Sequence, residues 1–119
     1  MKTTTITLKR IYNDYSVEDG FRILLDRLWP RGIKKESAHI DLWFKEIAPS
    51  TELRKWFNHE EEKFLIFKEK YLNELKENQE AWDELISTVR KHKKITLLFA
   101  AKNEQYNHTV IIKDLLDKL

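Results

Sequence analysis

The run Ile95-Thr96-Leu97-Leu98-Phe99-Ala100-Ala101 constrains this chain more than any other segment. It is apolar almost throughout, with Lys93-Lys94 before it and Lys102-Asn103 after it. So short a run suits a strand better than a helix, and it falls far below the ~20 residues that span a bilayer. A strand with one wet face would alternate apolar and polar side chains. Continuous burial instead predicts a parallel sheet with helices on both faces. A helical pattern follows directly, so the chain is expected to fold as an α/β layer structure.

The remaining segments fit around that strand. Thr3 to Ile11 alternates about Ile6 and Leu8, as a strand does, and turn residues run from Asn13 to Gly20. Phe21 to Trp29 reads as a second, buried strand closed by Pro30, which cannot donate to a sheet ladder. The segment after Pro30 is read as short-stepped helix as far as Pro49. Ser50 is placed to cap the next helix, with Glu52 in its first turn and Leu53, Trp56 and Phe57 on one face. Asn58 and Glu61 resemble a capping box. Phe64, Phe67, Tyr71, Leu72 and Leu75 then mark a helix of four or five turns ended by Asn78. Trp82, Leu85, Ile86 and Val89 mark another, which closes on Arg90, Lys91, Lys93 and Lys94. Ile111, Ile112, Leu115, Leu116 and Leu119 give the last helix its apolar face.

The expected order is β-β-α-α-α-α-β-α: an α/β fold with a small, mainly parallel sheet of about three strands covered by four or five helices. The first two strands form either a hairpin or a parallel arrangement, with the parallel form preferred. At 119 residues, a single domain over 1–119 is the expectation.

Composition removes several function classes. There is no cysteine, so disulfides, thiolate zinc sites and cysteine nucleophiles are excluded, and a reducing, cytoplasmic compartment is expected. Met1 to Ile6 lacks the apolar core of a signal peptide, and no membrane partner is expected. Gly20 and Gly32 are the only glycines, too few for a phosphate-cradling loop, a dinucleotide turn or a nucleophile elbow. No two histidines stand at metal-ligand spacing on one helix, so neither a metal nor a cofactor is expected. The formal net charge of +2 conceals polarity: Arg22 to Lys35 carries a local +4, and Asn58 to Glu84 a local −5.

The functional signal lies in Leu25-Asp26-Arg27-Leu28-Trp29-Pro30-Arg31-Gly32. A buried guanidinium without a partner costs several kcal/mol, so Arg27 and Arg31 each require a carboxylate, a carbonyl or a bound anion. Two readings stay open. In one, Asp26 and Asp41 satisfy the arginines in a structural network, with Trp29 and Trp43 as packing. In the other, the arginines form an anion site beyond the carboxyl ends of the strands, where ligands of open α/β sheets lie. The last helix would direct its N-terminal N–H groups to the same place. Asn107 and His108 at that helix start would orient or protonate a ligand, and Arg54 could reach it. The candidate ligand-binding set is therefore Asp26, Arg27, Arg31, Arg54, Asn107 and His108. The ligand would be a phosphate, nucleotide or carboxylate. No catalytic residue or reaction is assigned, and His39, His59 and His92 are weaker candidates.

Two rival readings use surface charge. A nucleic-acid accessory protein would bind through residues 22–35 with Lys91, Lys93 and Lys94, and its binding should weaken steeply with salt. A protein-interaction module would use the acidic helical face from Glu60 to Glu84, although such faces are usually just solvated.

The eight-residue segment from Leu25 to Gly32 also resembles the signature of domain-of-unknown-function family 488, in its short YeaO-like branch. The likeness continues through Asp41, Trp43, Ala48-Pro49-Ser50, Leu53-Arg54, Trp56-Phe57 and His59. It resumes at Thr96 to Lys102 and Asn107-His108, so that it covers roughly residues 6–116. The resemblance implies a cytosolic protein and carries over no activity. Longer members of that family place a Cys-His-Arg motif where this chain has Asn107-His108-Thr109, so thiol chemistry does not transfer. The chain departs from the short branch at Phe99, Asn103 and Thr109, where tyrosine, aspartate and alanine are usual. Asn103 removes a possible carboxylate from the suspected site.

Overall fold

The apolar run becomes β4 (Lys94–Phe99), an inner strand of the sheet; β1 (Thr5–Arg10) lies on one side of it and β2 (Phe21–Leu24) on the other. A short β3 (Leu42–Trp43) pairs with the outer side of β2, giving the order β1-β4-β2-β3 with every pair parallel. This computed structural model describes residues 4–119, so Thr3 of the first expected strand lies outside the described residues. Hydrogen-bonded on both edges and covered on both faces, Ile95 to Phe99 are at most 1% exposed. That position explains the absence of alternation in the sequence. Edge strand β1, which meets solvent, keeps its alternation.

The parallel preference for the first two strands holds, in an unforeseen form. They run in the same direction but never touch, because β4 is inserted between them. The link turns through a 3-10 helix at Val17–Asp19 and ends at Gly20 (φ 71°). There a Cβ would lie 2.4 Å from the Lys94 carbonyl oxygen, so only glycine fits.

Helices α1 (Thr51–Phe57), α2 (Phe64–Glu77), α3 (Gln79–Arg90) and α4 (His108–Asp117) all feed one core. Phe57, Phe67, Tyr71, Leu85, Val89 and Ile112 pack there with Ile6, Ile23, Ile95 and Leu97. Those four strand residues lie in register across β1, β4 and β2 and therefore share a face. The other face carries Ile11, Leu24 and Leu98 beneath Trp29, Ile33, Ile40 and Trp43. Helices on both faces were expected, but irregular chain covers this second one.

Three further expectations change. β2 ends at Leu24 rather than Pro30. The Leu25 amide still reaches the Leu98 carbonyl at 3.2 Å, but the Ala100 amide next donates to the Asp26 side chain at 2.9 Å, and that carboxylate ends the ladder. The segment after Pro30 is not helical beyond two 3-10 turns, Lys35–Ser37 and Lys45–Ile47. Gly32 and His39 take positive φ there, and Leu42-Trp43 is drawn into the sheet by the open edge of β2. Trp43 is thus a strand residue, and Trp56 is 37% exposed under the ammonium groups of Lys63 and Lys70. Finally, Asn58 forms no capping box. It closes α1 in the left-handed conformation (φ 47°), its amide donating to the Arg54 carbonyl. Among the described residues, no helix is long and apolar enough to cross a membrane.

Candidate functional site

A cavity of about 690 Å³ opens beyond the carboxyl ends of β2 and β4, within the size range of small-molecule sites. All six candidates, Asp26, Arg27, Arg31, Arg54, Asn107 and His108, line it. They arrive from three stretches of chain: the irregular segment after β2, helix α1, and the start of α4.

Their roles within it differ. Arg27 is half-buried, and its guanidinium donates to the carbonyls of Pro49 and Ala48, both at 3.0 Å. It therefore fixes the wall of the cavity. From the other side, Tyr71 donates to the Ile47 carbonyl, while the Ser50 amide and hydroxyl donate to Glu74 at 2.9 and 2.6 Å. Ser50 also accepts from the Leu53 amide as the cap of α1. Burial pushes the Tyr71 phenol up, which keeps it a hydrogen-bond donor.

Asn107 is 2% exposed and works as the cap of α4. Its Oδ1 accepts from the Thr109 and Val110 amides and the Thr109 hydroxyl, and its Nδ2 donates to the Asn103 carbonyl. Two backbone donors of the first turn of α4 are thus spent on this side chain.

Asp26 and His108 form a pair in the cavity wall. Nε2 of His108 lies 3.0 Å from the Leu25 carbonyl and 3.3 Å from Oδ1 of Asp26. Facing two acceptors, Nε2 carries the proton. Burial pushes the Asp26 carboxyl up, opposed by the charge of His108 and the Ala100 amide. Burial likewise pushes the His108 imidazole down, opposed by the charge of Asp26. Desolvation therefore sets both directions.

Arg31 and Arg54 are exposed at the cavity, and Lys102 joins them. Among the described residues, neither of these arginines nor Arg27 makes an ion pair with a carboxylate. The network reading required Asp26 and Asp41 to neutralise Arg27 and Arg31. Asp26 instead serves His108 and Ala100, and Asp41 accepts the Arg22 amide at 2.8 Å. Its packing element does hold: Trp29 and Trp43 meet edge to face, centroids 5.3 Å apart.

The basic stretch 22–35 is not one surface. Arg22 is 1% exposed, paired with Asp19 at 2.6 Å, and Arg27 faces the cavity.

Lys102 and Trp29 line it as well, from the loop and the patch expected to converge there, and Tyr12, Phe57, His59 and Phe67 are among the lining residues that the sequence did not point to. Phe57 and Phe67 read as helix core, and nothing in a periodic pattern distinguishes the floor of a cavity from a core. His59 had one signal. It follows Asn58, the non-glycine type that best tolerates positive φ, and both adopt it (47° and 58°), turning the chain at the cavity rim.

Comparison with known proteins gives a consistent picture. The protein YeaO of Escherichia coli (strain K12) is 46% identical over 96% of this chain and 98% of its own length. The Mycobacterium bovis protein Mb3100c and the Mycobacterium tuberculosis protein Rv3073c are each 32% identical over 98% of both chains. All three are described as uncharacterized proteins. No solved structure matches. The family model described as "Inactive DUF488-N3 subclade" matches residues 5–119. With nearly its whole length matched, the chain belongs to the DUF488 family, in that subclade.

Proposed function

We propose that the chain is a binding protein for a small anion carrying a phosphate or carboxylate group. One observation carries this reading: three arginines line a single cavity, and among the described residues none of them is ion-paired with a carboxylate; Asp26, whose charge Arg54 feels, is hydrogen-bonded to the Ala100 amide and paired with His108. Arg27 is engaged with carbonyls, so Arg31 and Arg54 are the anion receptors. A guanidinium presents donors in a fork that matches oxyanions bidentately.

The lining offers no serine, threonine or cysteine for a covalent intermediate, and His108 has its Nε2 proton committed to Leu25 and Asp26, which favours binding over transfer through such an intermediate. The description of the subclade as inactive agrees with a site that retains a ligand without transforming it.

Thermal unfolding with added inorganic phosphate and nucleotides tests the proposal. A ligand at 100 times its Kd stabilises by roughly 2.7 kcal/mol, which raises the melting temperature by several degrees. Arg31→Ala should abolish that shift without lowering the melting temperature of the free protein. An unchanged curve across phosphates, nucleotides and carboxylates refutes it.

A further inference from the structure

We propose that the ligand is one-ended: a flat apolar body with a single anionic head. The proposal rests on the anion reading above and adds the class of molecule. Three of the cations in the lining, Arg31, Arg54 and Lys102, are exposed, while Arg27 is half-buried and spent on carbonyls. Aromatic, proline and aliphatic side chains supply much of the rest. Phe67 and Phe57 are 2% and 6% exposed, and what little they show contributes to the cavity lining. Trp29 supplies a further aromatic surface, its ring held by the Nε1 bond to the Ile33 carbonyl and by the edge of Trp43.

Both prolines of the chain, Pro30 and Pro49, line the same cavity. Pro49 lies in the wall that Arg27 fixes from one side and Glu74 from the other. Fixed φ and hydrogen-bonded neighbours make this wall preformed, so a bound molecule need not order it. A bare oxyanion would leave Trp29 and Leu28 uncovered and would use only the cations. The polar atoms deeper in the lining are already bonded within the protein: Asp26 to Ala100 and His108, Asn107 to the turn of α4. They would not receive a second charged group. One charged end and one flat apolar end therefore match the lining; a molecule charged at both ends does not.

Titration calorimetry on the intact protein with inorganic phosphate, phenyl phosphate, benzoate, acetate and benzyl alcohol tests this. Phenyl phosphate should bind at least tenfold tighter than inorganic phosphate, equivalent to 1.4 kcal/mol. Benzoate should exceed acetate by a similar factor, and the better of the two aryl anions identifies the head group. Leu28, 59% exposed on the lining, can be shortened without touching the core. Leu28→Ser should weaken phenyl phosphate while leaving inorganic phosphate unchanged; Arg54→Gln should weaken both.

If inorganic phosphate binds as tightly as phenyl phosphate, the one-ended ligand is wrong while the anion site stands. If benzyl alcohol matches phenyl phosphate, the head is not read and both proposals fall. Failure of every probe to bind also overturns both.

Discussion

Two basic clusters in this molecule are built from similar chemistry and end in different states. On the helix-free face of the sheet, Arg22 is buried against Asp19, which also receives both carboxylate contacts of Lys9 at 3.1 Å. The second guanidinium nitrogen of Arg22 reaches the Ala38 carbonyl, and the Tyr15 ring covers its carbon at 5.1 Å. At the carboxyl rim, Arg27 bonds carbonyls, and among the described residues neither Arg31 nor Arg54 makes an ion pair with an acid. In the first cluster both cations share one carboxylate, while in the second no arginine is ion-paired with an acid among the described residues. The difference shows that a charged side chain in the interior must bring its counter-ion, whereas one at the end of a strand can leave that place to solvent or a ligand.

The sharpest way to break the comparison is to remove a counter-ion. Asp19→Ala leaves a buried guanidinium unpaired and should destabilise the fold by about 3–5 kcal/mol in urea unfolding. A loss below 1 kcal/mol would mean that water already serves Arg22, and the contrast between clusters would vanish. Arg27→Ala should have an intermediate effect, about 1–3 kcal/mol, because it strands two half-buried carbonyls rather than a charge. Its loss should also slacken the 48–50 wall, so weaker ligand binding is expected alongside the lower stability.

Acid separates the clusters further. Burial pushes the Asp19 carboxyl up, but the Ser16 amide, Lys9 and Arg22 outweigh it and hold it below the ordinary 3.8. Its stabilisation is therefore present above about 3.8 and disappears only as pH falls through its lower folded value. His108 is likewise held below its ordinary 6.5, so its contribution is complete above that value and erodes as pH falls beneath it. Asp26, raised above 3.8, has the opposite sign: it stabilises below that value and loses its effect as pH rises. Asp26→Asn removes the charge that pulls the imidazole back up. The variant should lose stability more steeply than the parent between pH 7 and 5, by an amount on the order of 1 kcal/mol. Parallel unfolding curves, or an unmoved His108 signal in an NMR titration, would show that the pair is not coupled. The smallest effect belongs to Arg31→Ala, expected within about 0.5 kcal/mol of the parent because the residue is exposed.

How much of this was legible in the sequence depended on whether a residue's neighbours were local. The helix over Phe64–Glu77, its end at Asn78, the cap at Ser50 and the strand at Ile95 all follow from patterns within one or two turns of chain. The six candidate site residues do converge on one cavity, because strand ends gather at one side of a parallel sheet. Their separate tasks were not legible. Asn107 looked like a ligand contact and its side chain is occupied by α4; Arg27 could have met a carboxylate, a carbonyl or an anion, and it holds the carbonyls of Ala48 and Pro49. Leu42-Trp43 gave no strand signal, since a two-residue strand is defined by the edge it joins.

The sequence by itself determined the α/β class, the inner strand and the absence of thiol chemistry, because burial periodicity and composition belong to the chain alone. Only the tertiary structure decided that β4 separates β1 from β2, that one face lacks helices, and which arginines are neutralised. Those outcomes depend on pairings between residues tens of positions apart, such as Asp26 with Ala100 and Arg27 with Ala48, and no local pattern encodes them.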